Sequence, residues 1–141
     1  MSSELIIRSA GIGDLDFVSQ DGHVSSDVVA EKIGRHEVVV ACIEDGPVGY
    51  ARVEFLWSTV PFLSLIWVSR PHRRQGVGKA ILSHLERRFA ADGHLALFSS
   101  SQADEAEPQA WHRRVGFEEC GIIDQINEGG VGEVFFRKGL S

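Results

Sequence analysis

Phe62 to Phe89 is the stretch that most constrains the fold, because three different local signals follow one another there without a gap. Phe62-Leu63-Ser64-Leu65-Ile66-Trp67-Val68 is an apolar, β-branched and aromatic run with strand character. Ser69 to Gln75 is polar and basic and contains Pro71, which has no N–H to give to a sheet. From Gly76-Val77-Gly78 onward, Val77, Ile81, Leu85 and Phe89 recur every four residues, the spacing of one helix face. A strand, a glycine-bearing turn and a helix in that order leave unpaired backbone N–H groups at the positive end of the helix dipole. That end suits a cluster of anionic oxygens, and glycine lets such a cluster reach the backbone. Arg70, Arg73, Arg74 and Lys79 crowd the same segment with no carboxylate among them. The residues point either to a phosphate-bearing ligand or to a solvated turn before an amphipathic helix, and the basic cluster favours the ligand.

The nucleoside-triphosphate loop needs a glycine where Arg73 stands and a hydroxyl residue where Ala80 stands. The dinucleotide fingerprint needs its third glycine at Ile81, and that fails as well. What remains is Arg73-x-x-Gly76-x-Gly78, after a strand ending in Val68 and a turn at Pro71. This resembles the acyl-coenzyme A signature of the GNAT superfamily of N-acyltransferases, which reads Gln or Arg, two residues, Gly, one residue, Gly or Ala. Gly116-Phe117, after the helix-like stretch from Glu107 to Val115, resembles the closing motif of the same superfamily.

The resemblance covers nearly the whole chain in element order. It implies acetyl-CoA as acyl-donor cosubstrate, no metal, and direct attack of a primary amine of a small molecule or peptide on the thioester in a ternary complex. By position, the backbone of Ile66, Trp67 and Val68 is expected to hold the pantetheine arm like an added strand. The N–H groups of Arg74, Gln75, Gly76, Val77, Gly78 and Lys79 are expected to hold the pyrophosphate, with Arg73 at the first signature position. His112 stands where relatives commonly place a tyrosine acid, Ser100 where they often carry a glutamate base, and Glu105 where an asparagine is frequent. His112 is therefore the expected acid, beside the plainer reading of a helix-surface histidine. Glu54 is a candidate base, beside that of an exposed strand residue. With the Tyr and Glu positions changed, an acyl-CoA-binding regulatory module with little or no turnover is the alternative.

At 141 residues the chain is read as a single domain, 1–141, large enough for a hydrophobic core. Strand signals at Leu5–Arg8, Glu37–Ile43, Val48–Trp57, Phe62–Val68, Leu95–Phe98, Phe117–Ile126 and Val131–Arg137 alternate with helical segments only in the middle. Helices are expected at Asp14–Gln20 and from a cap at Ser26 or Asp27 to near Gly34, besides the two already described. Gly93 reads as the stop of the central helix. Asp45-Gly46 and Asn127-Glu128-Gly129-Gly130 read as hairpin turns, and Pro61 as a break between the third strand and the central one. The expected class is α/β (α+β), a mixed, mostly antiparallel sheet of about six to seven strands flanked by about four helices.

The net charge of −6 lies entirely in residues 1–60, which hold ten carboxylates against four Lys and Arg; residues 61–141 hold ten of each. An acidic chain with one local basic cluster argues against general nucleic-acid binding. Asp14, Asp16, Asp21 and Asp27 lie where the resemblance places the acceptor wall, and suggest either a cationic amine acceptor or plain solubility charge. No apolar run approaches ~20 residues, which excludes a membrane-spanning helix, and Met1-Ser2-Ser3-Glu4 lacks a secretory pattern, so the cytoplasm is expected. There Cys42 and Cys120 are expected to be reduced and buried. The six histidines show no metal-ligand spacing. Tyr50 reads as a packed strand residue, and Trp57, Trp67 and Trp111 as core or groove walls. A homodimer through the apolar hairpin Phe117–Phe136 is compatible with the pattern.

Overall fold

A computed structural model describes residues 4–44 and 46–141. Met1 to Ser3, read above for a leader, and Asp45, read as part of a hairpin turn, lie outside the described residues. The elements are β1 (Ile6–Ser9), α1 (Ser26–Gly34), β2 (Val38–Ile43), β3 (Gly46–Leu56), β4 (Val60–Val68), α2 (Val77–Ala91), β5 (Ala96–Gln102), α3 (Ala106–Arg114), β6 (Glu118–Ile123) and β7 (Glu133–Gly139). The sheet has seven strands in the order β1-β2-β3-β4-β5-β7-β6. β4 and β5 run parallel, while β1–β2, β2–β3, β5–β7 and β6–β7 are antiparallel. The expected mixed sheet is present, with three α-helices among the described residues instead of about four.

The missing helix is Asp14–Gln20, which is two 3₁₀ turns, Ile12–Asp14 and Phe17–Ser19. Local side-chain bonds compete with helix formation there. The Asp14 carboxylate accepts from the Gly11 N–H at 2.8 Å and from Arg8 at 2.8 and 3.1 Å, and the Gln20 amide donates to the Phe17 carbonyl.

Two compact units divide the chain, Met1–Glu54 with Ser64–Leu85 and Phe55–Leu63 with Glu86–Ser141. In the first, the cap of α1 is Ser25, one residue before Ser26 and two before Asp27, the expected caps: its hydroxyl accepts from the Val28 N–H. Its stop is also shifted. Gly34 is still helical, and His36, at φ 60°, takes the left-handed position while the N–H groups of His36 and Glu37 bond the carbonyls of Ile33 and Lys32. Val38 to Ala41 of β2 are all buried, as a strand covered on both faces requires. Val29 and Ile33 of α1 join Val18, Val38, Val40 and Tyr50 in one cluster, with Phe17 and Trp67 packed against it.

Gly49 on β3 leaves no room for a side chain. A Cβ there would sit 2.9 Å from the Trp67 carbonyl oxygen and 3.3 Å from Val77. Gly49→Ala is therefore expected to cost about 1–3 kcal/mol, read as a lower urea midpoint at unchanged slope, because backbone rather than a flexible side chain must give way.

In the second unit, β3 turns into β4 through Trp57-Ser58-Thr59, with Trp57 and Ser58 both at positive φ. Pro61 does not break a strand as expected; it is the second residue of β4, a position near a strand start where a missing N–H is tolerated. Trp57, read as a wall residue, is 86% exposed at the turn. Gly93 and Gly116 close α2 and α3 in left-handed conformation. Phe89, Leu97, Phe117, Val134 and Phe136 are buried here, whereas β6 is exposed along its length at the sheet edge. Both cysteines are free as expected, but not buried: Cys42 is half-buried, and Cys120 on the edge strand is exposed.

Candidate functional site

The end of β4 runs into a loop tied down by its own side chains. Ser69 N–H donates to the Val48 carbonyl, and the Ser69 hydroxyl meets His72 Nδ1 at 2.8 Å. His72, within a 3₁₀ turn at Arg70–His72, thereby serves the loop itself. Arg73 Nε donates to the Val68 carbonyl at 2.8 Å, and the Gln75 amide donates to the Pro71 carbonyl. The first signature residue thus fastens the loop to the strand that precedes it.

Arg74 and Gly76 then adopt positive φ, 63° and 83°. Left-handed residues in a turn direct successive N–H groups toward one concavity, an anion-binding arrangement. α2 follows at Val77, and its first recorded bond outside the helix runs from Ala80 N–H to the Gly76 carbonyl. Among the described residues, no partner is recorded for the N–H groups of Arg74 through Lys79. Arg70, Arg74 and Lys79 are without an ion pair on the same terms. Among the described residues, unpaired donors, a helix dipole and cations without an ion pair coincide here, and this donor set fits a diphosphate.

Ile66, Trp67 and Val68 are half-buried at the end of β4. The parallel ladder with β5 is recorded at Phe62↔Phe98 and Leu63↔Ser99. Among the described residues it goes no further, so backbone beyond Leu63 on that edge of β4 has donors and acceptors to spare.

His112 is inside, not on the helix surface: it is 5% exposed and stacks on Phe136 at 4.6 Å. Its Nδ1 lies 2.7 Å from the Pro108 carbonyl and its Nε2 2.7 Å from the Ser99 hydroxyl, which is also 3.0 Å from the Leu63 carbonyl. Because a carbonyl only accepts, Nδ1 carries a proton, and Nε2 of the neutral ring accepts from Ser99. The single Ser99 proton then cannot also serve Leu63. Protonating the ring reverses that bond and frees Ser99 to donate to Leu63. Burial pushes the imidazole below its ordinary value, partly offset by the Pro108 hydrogen bond. Glu54 is exposed on β3, with no hydrogen bond or ion pair among the described residues. The Ser100 hydroxyl donates to Glu133 Oε2 at 2.6 Å.

The acidic group of the first unit is not a free field. Asp14 is paired with Arg8, and Asp21 lies in a buried network. Arg52 donates to both Asp21 oxygens at 2.7 and 2.6 Å and to the Val18 carbonyl, and the Tyr50 hydroxyl donates to Asp21 at 2.6 Å. Burial alone would push the Asp21 carboxyl up, but the bonds from Arg52, Tyr50 and the His23 N–H hold it well below the usual carboxylate range. Burial and the bond to Asp21 push the Tyr50 phenol well above its ordinary value, so it stays protonated as a packed strand residue. Asp16 and Asp27 remain exposed. Arg52 escaped the sequence reading, although a lone arginine within Val48-Gly49-Tyr50-Ala51-Arg52-Val53 was a signal for a buried ion pair. Glu133 carried no local signal.

Residues 34–119 match the family model described as an acetyltransferase (GNAT) domain. Among solved structures, the chain is similar to a GNAT-family acetyltransferase from Bacillus cereus ATCC 10987, at 22% identity and TM-score 0.79 over 98% of this chain and 99% of that one. It is similar to Ard1 from Thermoplasma volcanium at 15% identity and TM-score 0.86, covering 97% and 98%. The ribosomal-protein-S18-alanine N-acetyltransferase from Escherichia coli shares 21% identity at TM-score 0.81, covering 98% and 95%. No curated protein gives a significant match in sequence.

Proposed function

Because the chain belongs to the GNAT family of acetyltransferases, we propose that it moves an acetyl group from acetyl-CoA to a primary amine by direct attack in a ternary complex. The observation that carries this reading is the run of N–H groups from Arg74 to Lys79 that have no partner among the described residues, beside Arg70, Arg74 and Lys79, which have no ion pair among them. We assign the pyrophosphate to that run. The pantetheine arm is assigned to the backbone of Ile66, Trp67 and Val68 along the unpaired edge of β4. His112, acting through Ser99, is the proposed proton source for the departing thiolate; its protonated ring and the Ser99 hydroxyl pass a proton in one direction.

The acceptor is proposed as a primary amine of a small molecule or peptide. With Asp14 and Asp21 committed to internal partners, a cationic acceptor has only Asp16 and Asp27 of the four acids to attract it. The relative from Escherichia coli is named for an alanine of a ribosomal protein, so a peptide with N-terminal alanine belongs in the acceptor panel beside polyamines and neutral amines. We place the expected self-association at the exposed edge strand β6, where Ile122 and Ile123 face solvent. No described helix is long and apolar enough to cross a membrane.

Calorimetry with acetyl-CoA, followed by thiol release against that panel, tests the proposal. We expect saturable donor binding and amine-dependent thiol release; no heat and no thermal shift with acetyl-CoA would sink it. One observation favours a binding module without turnover: both His112 nitrogens are already engaged. Donor binding without release to any amine would establish that second reading.

A further inference from the structure

We propose that Glu133 is the carboxylate that takes the proton from the acceptor amine, a role that rests on the acyl-transfer reading above. Among the described residues, every other half-buried or buried carboxylate has a cation: Asp14 has Arg8, Asp21 has Arg52, Glu37 has Lys32 and Glu86 has Lys138. Glu133 has none. It is half-buried and oriented by neutral donors only, the Ser100 hydroxyl at 2.6 Å on Oε2 and the Asn127 amide at 2.8 Å on Oε1. Asn127 also reaches the Gly132 carbonyl, which accepts the Ala103 N–H at 2.8 Å, so the start of β7 is fixed to the end of β5.

A partly desolvated carboxylate without a counter-charge is costly to keep unless a cation visits it. A protonated amine is such a cation. The position suits it too, since Ser100 is the first β5 residue beyond the last recorded pair with β4, Leu63↔Ser99. In the step, the acceptor ammonium passes one proton to a Glu133 oxygen, and the freed lone pair forms the C–N bond as the C–S bond breaks. The departing sulfur takes its proton from His112 through Ser99, the second amine proton restores the one that His112 gave, and the proton on Glu133 returns to solvent. Glu54, solvated and without orienting bonds, offers no comparable preorganisation. The negative charge of Glu133 also favours the protonated form of His112.

Glu133→Gln keeps the size and can keep both hydrogen-bond partners, so it isolates the charge. We expect donor binding by calorimetry as in the wild type and kcat/KM lower by about 100-fold or more. Ser100→Ala removes one of the two donors that orient the carboxylate and should lower kcat while donor affinity stays as in the wild type, a split that a merely structural role would not give. Glu133→Gln with kcat/KM within about threefold of wild type overturns the proposal while leaving acyl transfer standing. So does a loss of activity confined to Glu54→Gln. If Glu133→Gln fails to bind the donor, its role is structural and the assignment falls. A wild type that neither binds acetyl-CoA nor releases thiol removes the acyl-transfer reading and Glu133's role together.

Discussion

Replacing Gly76 and Gly78 together with valine is expected to lower acetyl-CoA affinity by about 10²–10⁴-fold, measured by calorimetry, in a protein that still unfolds cooperatively. The arithmetic comes from the donors at stake: loss of two charge-assisted bonds from backbone N–H to phosphate, at about 1.5–3 kcal/mol each, gives that range. Gly76 is the sharper of the two positions. It holds φ +83°, and nothing lies within 4 Å of a Cβ built there, so the fold has room for a side chain. The strain of a left-handed β-branched residue is about 1–2 kcal/mol, a local cost the domain can survive. The added methyls enter the space onto which the free N–H groups open. Wild-type affinity in the double variant would remove the case for a diphosphate at this helix start.

The second large effect is on stability. Arg52→Ala and Asp21→Ala are each expected to cost about 3–5 kcal/mol in chemical denaturation, because each leaves a buried charge without its partner. Both side chains of the pair are 4% exposed, so water cannot take over. Replacing both with leucine should be far less damaging than the sum of the single changes. Additive losses would show that the two do not act as a pair.

The pH dependence follows from the sign of the shift. Asp21's folded pKa lies below its unfolded value, so its contribution is fully present above the ordinary carboxylate range, near pH 4, and fades as pH falls toward the folded value. The gap in stability between wild type and Asp21→Asn should therefore be constant at neutral pH and shrink in acid. The same network fixes a segment of functional interest. Phe17 packs edge-on against Tyr50 and Trp67, at 5.7 and 5.8 Å, so the loop before α1 and the aromatic ring at the end of β4 are anchored to one buried pair.

What could be read from the sequence was what depends on neighbours along the chain. The strand, loop and helix from Phe62 to Phe89 followed from local periodicity and from glycine's access to positive φ, and the structure has them in place. Gly93 announced its helix end for the same reason. His36 and Trp57 did not, since a non-glycine residue at positive φ leaves no mark in composition. The misreadings share a cause in contacts far apart in sequence. Asp21 looked like surface charge until Arg52, from another element, neutralised it. His112 read either as an acid or as a helix-surface histidine. It is buried because Ser99 and Pro108 satisfy both nitrogens. Glu133 meets Ser100 only through the register of β5 with β7, which no window of sequence contains.

The anion site assigned to Arg74 through Lys79 is made of peptide groups, and mutation exchanges side chains while leaving the peptide in place. An alanine series across the loop would trim charge and bulk without silencing a single donor. Proline alone among the coded residues arrives without an N–H. Proline placed in turn at Val77, Gly78 and Lys79, the first turn of α2 where its fixed φ is tolerated, would therefore reveal which of those amides are in use, and the same asymmetry lets the loop drift widely in composition while its grip endures.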